Sequence, residues 1–108
     1  MTKTLLPSAL AAAMAAALLG WAVPTHASQA LATARNCMAC HGVANKLVGP
    51  SLRDVASRYQ GRADAASLLA EKIAKGSAGA WGSLPMPAQP QVSAAEATTL
   101  AQWILEQR

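Results

Sequence analysis

The chain has 108 residues, two cysteines, two histidines and four aromatic side chains, none of them phenylalanine, and its formal charge is +4. That length allows one small domain, and a 53% apolar fraction excludes disorder although alanine supplies much of it. Basic residues stand singly, without runs or interleaved aromatics, so the footprint of a nucleic-acid binder is absent.

Residues 1–27 read as a secretory signal peptide. Lys3 precedes an uncharged stretch over 5–23, residues 9–19 contain only Ala, Leu and Met, Pro24 breaks the segment, and Thr25-His26-Ala27 offers small residues for cleavage. Cleavage is expected after Ala27, with Ala30 as the second choice and an uncleaved anchor as the alternative. An alanine-dominated helix gains little in lipid, and Pro7 and Ser8 shorten the span, so no stable membrane insertion is expected. The exported domain is then residues 28–108, with eight basic against five acidic side chains. Trp81, Trp103 and Tyr59 are its only aromatics. A core this poor in large side chains calls for a staple. A disulfide between Cys37 and Cys40 would close too small a loop to serve, so a cofactor is expected instead.

A helix is predicted from about Gln29 into the Cys37 segment, with Leu31 and Ala34 on one face and Gly42 ending it. Cys37-Met38-Ala39-Cys40-His41 is C-x-x-C-H, the attachment signature of a c-type haem. On a helical turn residues i and i+3 share a face, so both thiols reach one porphyrin edge while His41 turns toward the iron. Zinc is the first alternative, but it lacks a fourth protein ligand here. A redox dithiol is the second, and it lacks the expected strand pattern around it.

A loop through Gly49-Pro50 leads to a helix over 52–58, stopped by Gly61. A third helix is capped by Asp64, carries Leu68, Leu69 and Ile73 inward, and ends at Gly76. From Ser77 to Val92 the chain reads as a long functional loop, too rich in Pro and Gly for helix or strand. Within it Met86 lies between Pro85 and Pro87. His26, Met1 and Met14 fall in the leader and Met38 lies between the two cysteines, which leaves Met86 for the second axial position. Its alternative is gap-filling in the core. Ser93-Ala94-Ala95-Glu96 is a capping box opening a last helix with Leu100, Trp103 and Ile104 inward.

The attachment motif, Leu47-Val48-Gly49-Pro50, Asp54-Val55-Ala56, Gly76-Ser77 with Gly79 before Trp81, Pro85-Met86-Pro87, and Leu100 with Trp103 resemble, in that order, a class I cytochrome c of the small bacterial c-551 type. Ala32 and Thr33 depart from it, standing where an aromatic is common. The resemblance implies an all-α fold of about four short helices around one haem c, bound covalently through Cys37 and Cys40. It implies a soluble periplasmic one-electron carrier, a monomer and not an enzyme, with iron held by His41 and Met86. Pro50 would offer its carbonyl to His41 Nδ1, Trp81 would hydrogen-bond a haem propionate, and the Gln89 amide would donate to the Met86 sulfur. The implied partners are redox proteins: a membrane quinol-oxidising complex as donor and a terminal reductase or oxidase as acceptor. Met38, Val43, Val48, Pro85, Pro87 and Ala88 are expected to ring the exposed haem edge. Two other readings use the same motif: a haem ligand-binding, sensor or peroxidase module, and a fixed electron-entry subunit of a larger enzyme.

Overall fold

The computed structural model describes residues 25–108, so all but the last three residues of the expected leader over 1–27 lie outside the described residues. In chain order the elements are α1 (Thr25–Ala34), a short 3-10 helix (Cys37–Ala39), α2 (Leu52–Arg58), α3 (Ala65–Lys75), strands β1 (Ser77–Gly79) and β2 (Gly82–Met86), and α4 (Ala94–Leu105). The architecture is mostly helical, with one two-stranded sheet. Both expected cleavage points, after Ala27 and after Ala30, fall inside α1.

The last helix, α4, packs against each of the other three α-helices. Its residues Ala97, Leu100 and Ala101 recur at helical spacing and are buried, Ala101 completely. They divide the core in two. Leu100 joins Ala32, Leu52, Ile73, Val92 and Trp103, whereas Ala101 joins Val55, Tyr59, Ala65 and Leu69. Alanines at 97 and 101 keep this face of α4 thin, which lets neighbouring helices approach where larger side chains would hold them off.

Helix α1 does not run into the cysteine motif as predicted. It stops at Ala34, and Asn36 adopts a left-handed conformation, φ 63°, that separates it from the 3-10 helix. Its buried contact is Ala32 in the Leu100–Trp103 cluster, and the predicted Ala34 is exposed. A methyl suffices at 32 because Trp103 supplies the bulk there.

Helix α2 matches its expected span and is capped by Ser51, whose buried Oγ accepts from the Asp54 N–H at 3.1 Å. Asp64 occupies the cap position of α3, but its side chain makes no cap bond. At ψ 5° its backbone lies outside the extended region that aims a cap side chain at the helix, and its carboxylate instead accepts two bonds from Arg62, at 3.0 and 2.8 Å. The capping box of α4 is complete: Ser93 Oγ accepts from Glu96 N–H and Glu96 Oε2 accepts from Ser93 N–H.

The expected loop over 77–92 is half ribbon. Strands β1 and β2 pair antiparallel, Ser77 with Met86 and Gly79 with Gly82, around Ala80-Trp81. The glycines that suggested a loop build the turn: Gly79 and Gly82 have φ of 82° and 113°. Pro85 is tolerated because each strand of a two-stranded ribbon is an edge, where a missing N–H need leave no ladder bond broken.

Candidate cofactor site

One deep cleft runs between the segment from Cys37 to Pro50, the face of α3, and the β1–β2 ribbon. With its open mouth included it spans about 1070 Å³. Leu52, Val55, Leu69, Ile73, Leu100 and Trp103 line it, so the cleft is cut into the core itself. Cys37, Cys40, His41 and Met86 all reach it, as do Pro50 and Trp81.

The 3-10 turn positions the cysteines. Both Cys40 N–H and His41 N–H donate to the Cys37 carbonyl, at 3.2 and 3.0 Å, which folds the motif into one tight turn. The thiols are unpaired, Cys37 half-buried and Cys40 exposed. Burial pushes the Cys37 thiol above its ordinary range, with the neighbouring Cys40 adding to the rise. The lowered thiol that marks a reactive cysteine is therefore not found at Cys37. Nor does any cluster of three His, Cys, Asp or Glu side chains suited to a metal ion form among the described residues, so the donor set for zinc is missing. An apolar cleft edged by two thiols, with an imidazole and a thioether lining it, fits a covalently attached haem instead.

His41 is held by the loop that follows it. Its Nδ1 lies 2.8 Å from the Pro50 carbonyl. A carbonyl only accepts, so Nδ1 carries a proton and Nε2 is the nitrogen turned to serve a metal. The loop is pinned at both ends: Gly49 N–H donates to Cys40 O at 2.8 Å and Leu52 N–H to Gly42 O at 2.9 Å.

Met86 ends β2 and is half-buried. Its chain passes so close to Gly76 that a Cβ there would lie 2.8 Å from the Met86 carbonyl oxygen, and Gln89 N–H donates to Ile73 O just beyond. Two contacts with the end of α3 thus fix the thioether's backbone. The Gln89 Nε2 donates one N–H to the Pro87 carbonyl at 3.0 Å and its Oε1 accepts from Gln91 Nε2 at 2.7 Å, which braces the loop beside Met86. An amide nitrogen carries two N–H groups, so the bond to Pro87 occupies only one of them.

Trp81 projects from the ribbon turn, 39% exposed, with the Arg58 guanidinium 4.5 Å above its ring. Arg58 also donates to Ala80 O at 2.6 Å, tying α2 to the turn. Of the six residues expected around the cofactor edge, Met38 and Val43 pack against the core and are only half-exposed. Leu47 and Leu84, at 52% and 65% exposure, join Val48 as the large apolar side chains in solvent. The charge count had hidden Lys72, which lines the cleft with Nζ 3.3 Å from Ser77 Oγ. Its position four residues after Leu68 on an amphipathic helix was the available signal.

A cytochrome c family model matches residues 26–108. The chain belongs to the cytochrome c family, whose members carry covalently attached haem c, and Cys37 and Cys40 occupy the attachment positions. Within that class it is similar to cytochrome c-552 of Hydrogenobacter thermophilus, 54% identical over 89 residues that cover 82% of this chain and 90% of the relative. Cytochrome c-551 of Pseudomonas aeruginosa is 47% identical over 74 residues, covering 68% and 70%. The crystal structure of Nitrosomonas europaea cytochrome c552 superposes with a TM-score of 0.73 at 50% identity, over 74% of this chain and 99% of that one. The protein is thus a small c-type cytochrome of the electron-carrier kind, not an enzyme.

Proposed function

We propose that His41 and Met86 are the two axial ligands of the haem and that the chain, exported by its leader and cleaved to residues 28–108, works as a monomeric one-electron shuttle in the periplasm. Its donor would be a membrane quinol-oxidising complex and its acceptor a terminal reductase or oxidase of a respiratory or denitrifying chain. The observation that carries the reading is the His41–Pro50 contact, which leaves Nε2 free in the same cleft that Met86 lines. When bound, the haem supplies a reversible one-electron couple.

The residues around it keep that couple simple. Cys37 and Cys40 would hold the group to the chain through two thioether bonds, each thiol adding its sulfur and hydrogen across one vinyl group of the porphyrin edge. With His41 and Met86 both on the iron no position would remain open for substrate, and both residues are borne by backbone fixed to neighbouring elements, which would limit their movement on a change of charge. Leu52, Ile73 and Leu100 exclude water. Trp81, at the edge of the cleft, is placed in this reading toward a propionate, and Gln89 keeps the ligand loop closed through Pro87.

Met86→Ala tests the ligand assignment. Haem stays covalently attached, the weak red band of the ferric optical spectrum disappears, the midpoint potential falls, and added imidazole binds. Retention of the band and of the parental potential would remove Met86 from the iron.

A further inference from the structure

The described glycines fall into two groups. Gly61, Gly76, Gly79 and Gly82 have φ between 79° and 113°, a backbone region that other residues avoid. Gly49 is absent from that group, so its backbone would accept alanine without strain. Space is what it lacks. A Cβ at 49 would lie 2.5 Å from His41 Cε1, 3.0 Å from Nδ1 and 3.1 Å from Nε2. Those three atoms form the ring edge between the two nitrogens, so the missing side chain is replaced by the imidazole.

Neither side of this contact can retreat freely. Gly49 N–H is bonded to Cys40 O at 2.8 Å and Gly49 O accepts from Leu47 N–H at 3.1 Å, while the following residue, Pro50, holds His41 Nδ1. A methyl group at 49 therefore acts on the ring, and the ring can yield only by stretching or bending its bond to Pro50. We propose that Gly49 is the positioning residue of His41: the bare backbone serves as a flat seat that fixes the ring's rotation and keeps Nδ1 on the Pro50 carbonyl. The inference rests on His41 as an iron ligand for its effect on the haem, but the seat itself is a property of this chain. Because the bond at Nδ1 increases the basicity of Nε2, disturbing the seat makes the ring a poorer donor and favours the reduced state.

The test uses the reduced, haem-loaded protein and its Gly49→Ala and Gly61→Ala variants. Nothing lies within 4 Å of a Cβ at 61, and that site carries the positive φ, so Gly61→Ala measures glycine replacement without a ring contact. In the parent, proton NMR shows an Overhauser contact between the Gly49 α-protons and the His41 Hε1 proton. In Gly49→Ala the Nδ1 proton exchanges with solvent about tenfold faster, the loss expected from one weakened hydrogen bond, and the midpoint potential rises. Gly61→Ala leaves both at parental values. Parental exchange in Gly49→Ala, or equal changes in the two variants, overturns the proposal. Should Gly49→Ala fail to retain haem, the parental Overhauser contact decides, its absence overturning the seat. The ligand assignment is read separately: a His41 ring whose protons lack the upfield shift of an iron-bound imidazole refutes the ligation, while contact and exchange still judge Gly49.

Discussion

Glu96 is asked to do three things at once. Its Oε2 accepts from Ser93 N–H, its Oε1 accepts from Arg35 Nη2 at 2.6 Å, and its own N–H is bonded by Ser93. The Arg35 guanidinium, followed by the Ser93 N–H, holds its carboxyl below the usual value of 4.5. The same pairing raises Arg35, which stays charged throughout. A carboxylate with a lowered native pKa stabilises the fold fully above its unfolded value and ceases to do so as pH falls through the native one. Stability in chemical unfolding should therefore drop on acidification from about pH 4.5 downward. In Glu96→Gln that part of the slope disappears and stability at neutral pH is reduced. An unchanged acid slope in the variant would assign the sensitivity to another carboxylate, Asp64 being the next, since Arg62 lowers it too.

At the scale of elements, the parts set by local chemistry were legible and those set by packing were not. Helix α2, the end of α3 at Gly76 and the capping box of α4 follow from short patterns in which each residue satisfies a neighbour's backbone. The break at Asn36 and the ribbon over 77–86 do not. Left-handed Asn36 has a local excuse but no local necessity, and the ribbon needs the end of α3 beneath Met86 to hold it. For the site, the attachment motif could be read directly. By contrast, the tie from Arg58 to the Trp81 turn and the seat under His41 depend on distances across the fold, which spacing does not encode. The energetic centre is α4. Leu100 is 1% exposed and shares its cluster with Ala32 of α1, Leu52 of α2 and Ile73 of α3, so the space it leaves is walled by several elements at once. Leu100→Ala should cost about 2–5 kcal/mol, seen as a lower unfolding midpoint with covalent haem still present. A loss under about 1 kcal/mol, the size expected of a surface change, would show that the core repacks.

At the scale of the whole fold, the exposed large apolar side chains among the described residues are unevenly distributed. Val48, Leu84 and Trp81 all border the same cleft, and Leu47 adjoins Val48 in sequence. Fixed charge stands beside these residues: Lys46 and Asp54 line a second depression with Val48, Trp81 and Leu84, and Lys72 lines the cleft itself. A carrier has to release its partner quickly, which suits a small apolar contact bordered by a few charges. In Val48→Lys, electron transfer to the physiological partner should slow by about tenfold, with the slowing reduced at high salt, while the midpoint potential stays parental. Equal rates in stopped-flow mixing would move the docking face elsewhere.

The place of α4 in the chain also sets an order of events. The ion pair from Arg35 to Glu96 spans 61 residues, and the cluster around Ala32 is completed only by Leu100 and Trp103. A polypeptide emerging amino end first presents its thiols long before the helix that closes the core exists. Until residue 103 is free, Ala32, Leu52 and Ile73 lack the two side chains that complete their cluster. A circular permutant that puts α4 first would reverse that order, with the closing helix present before the thiols.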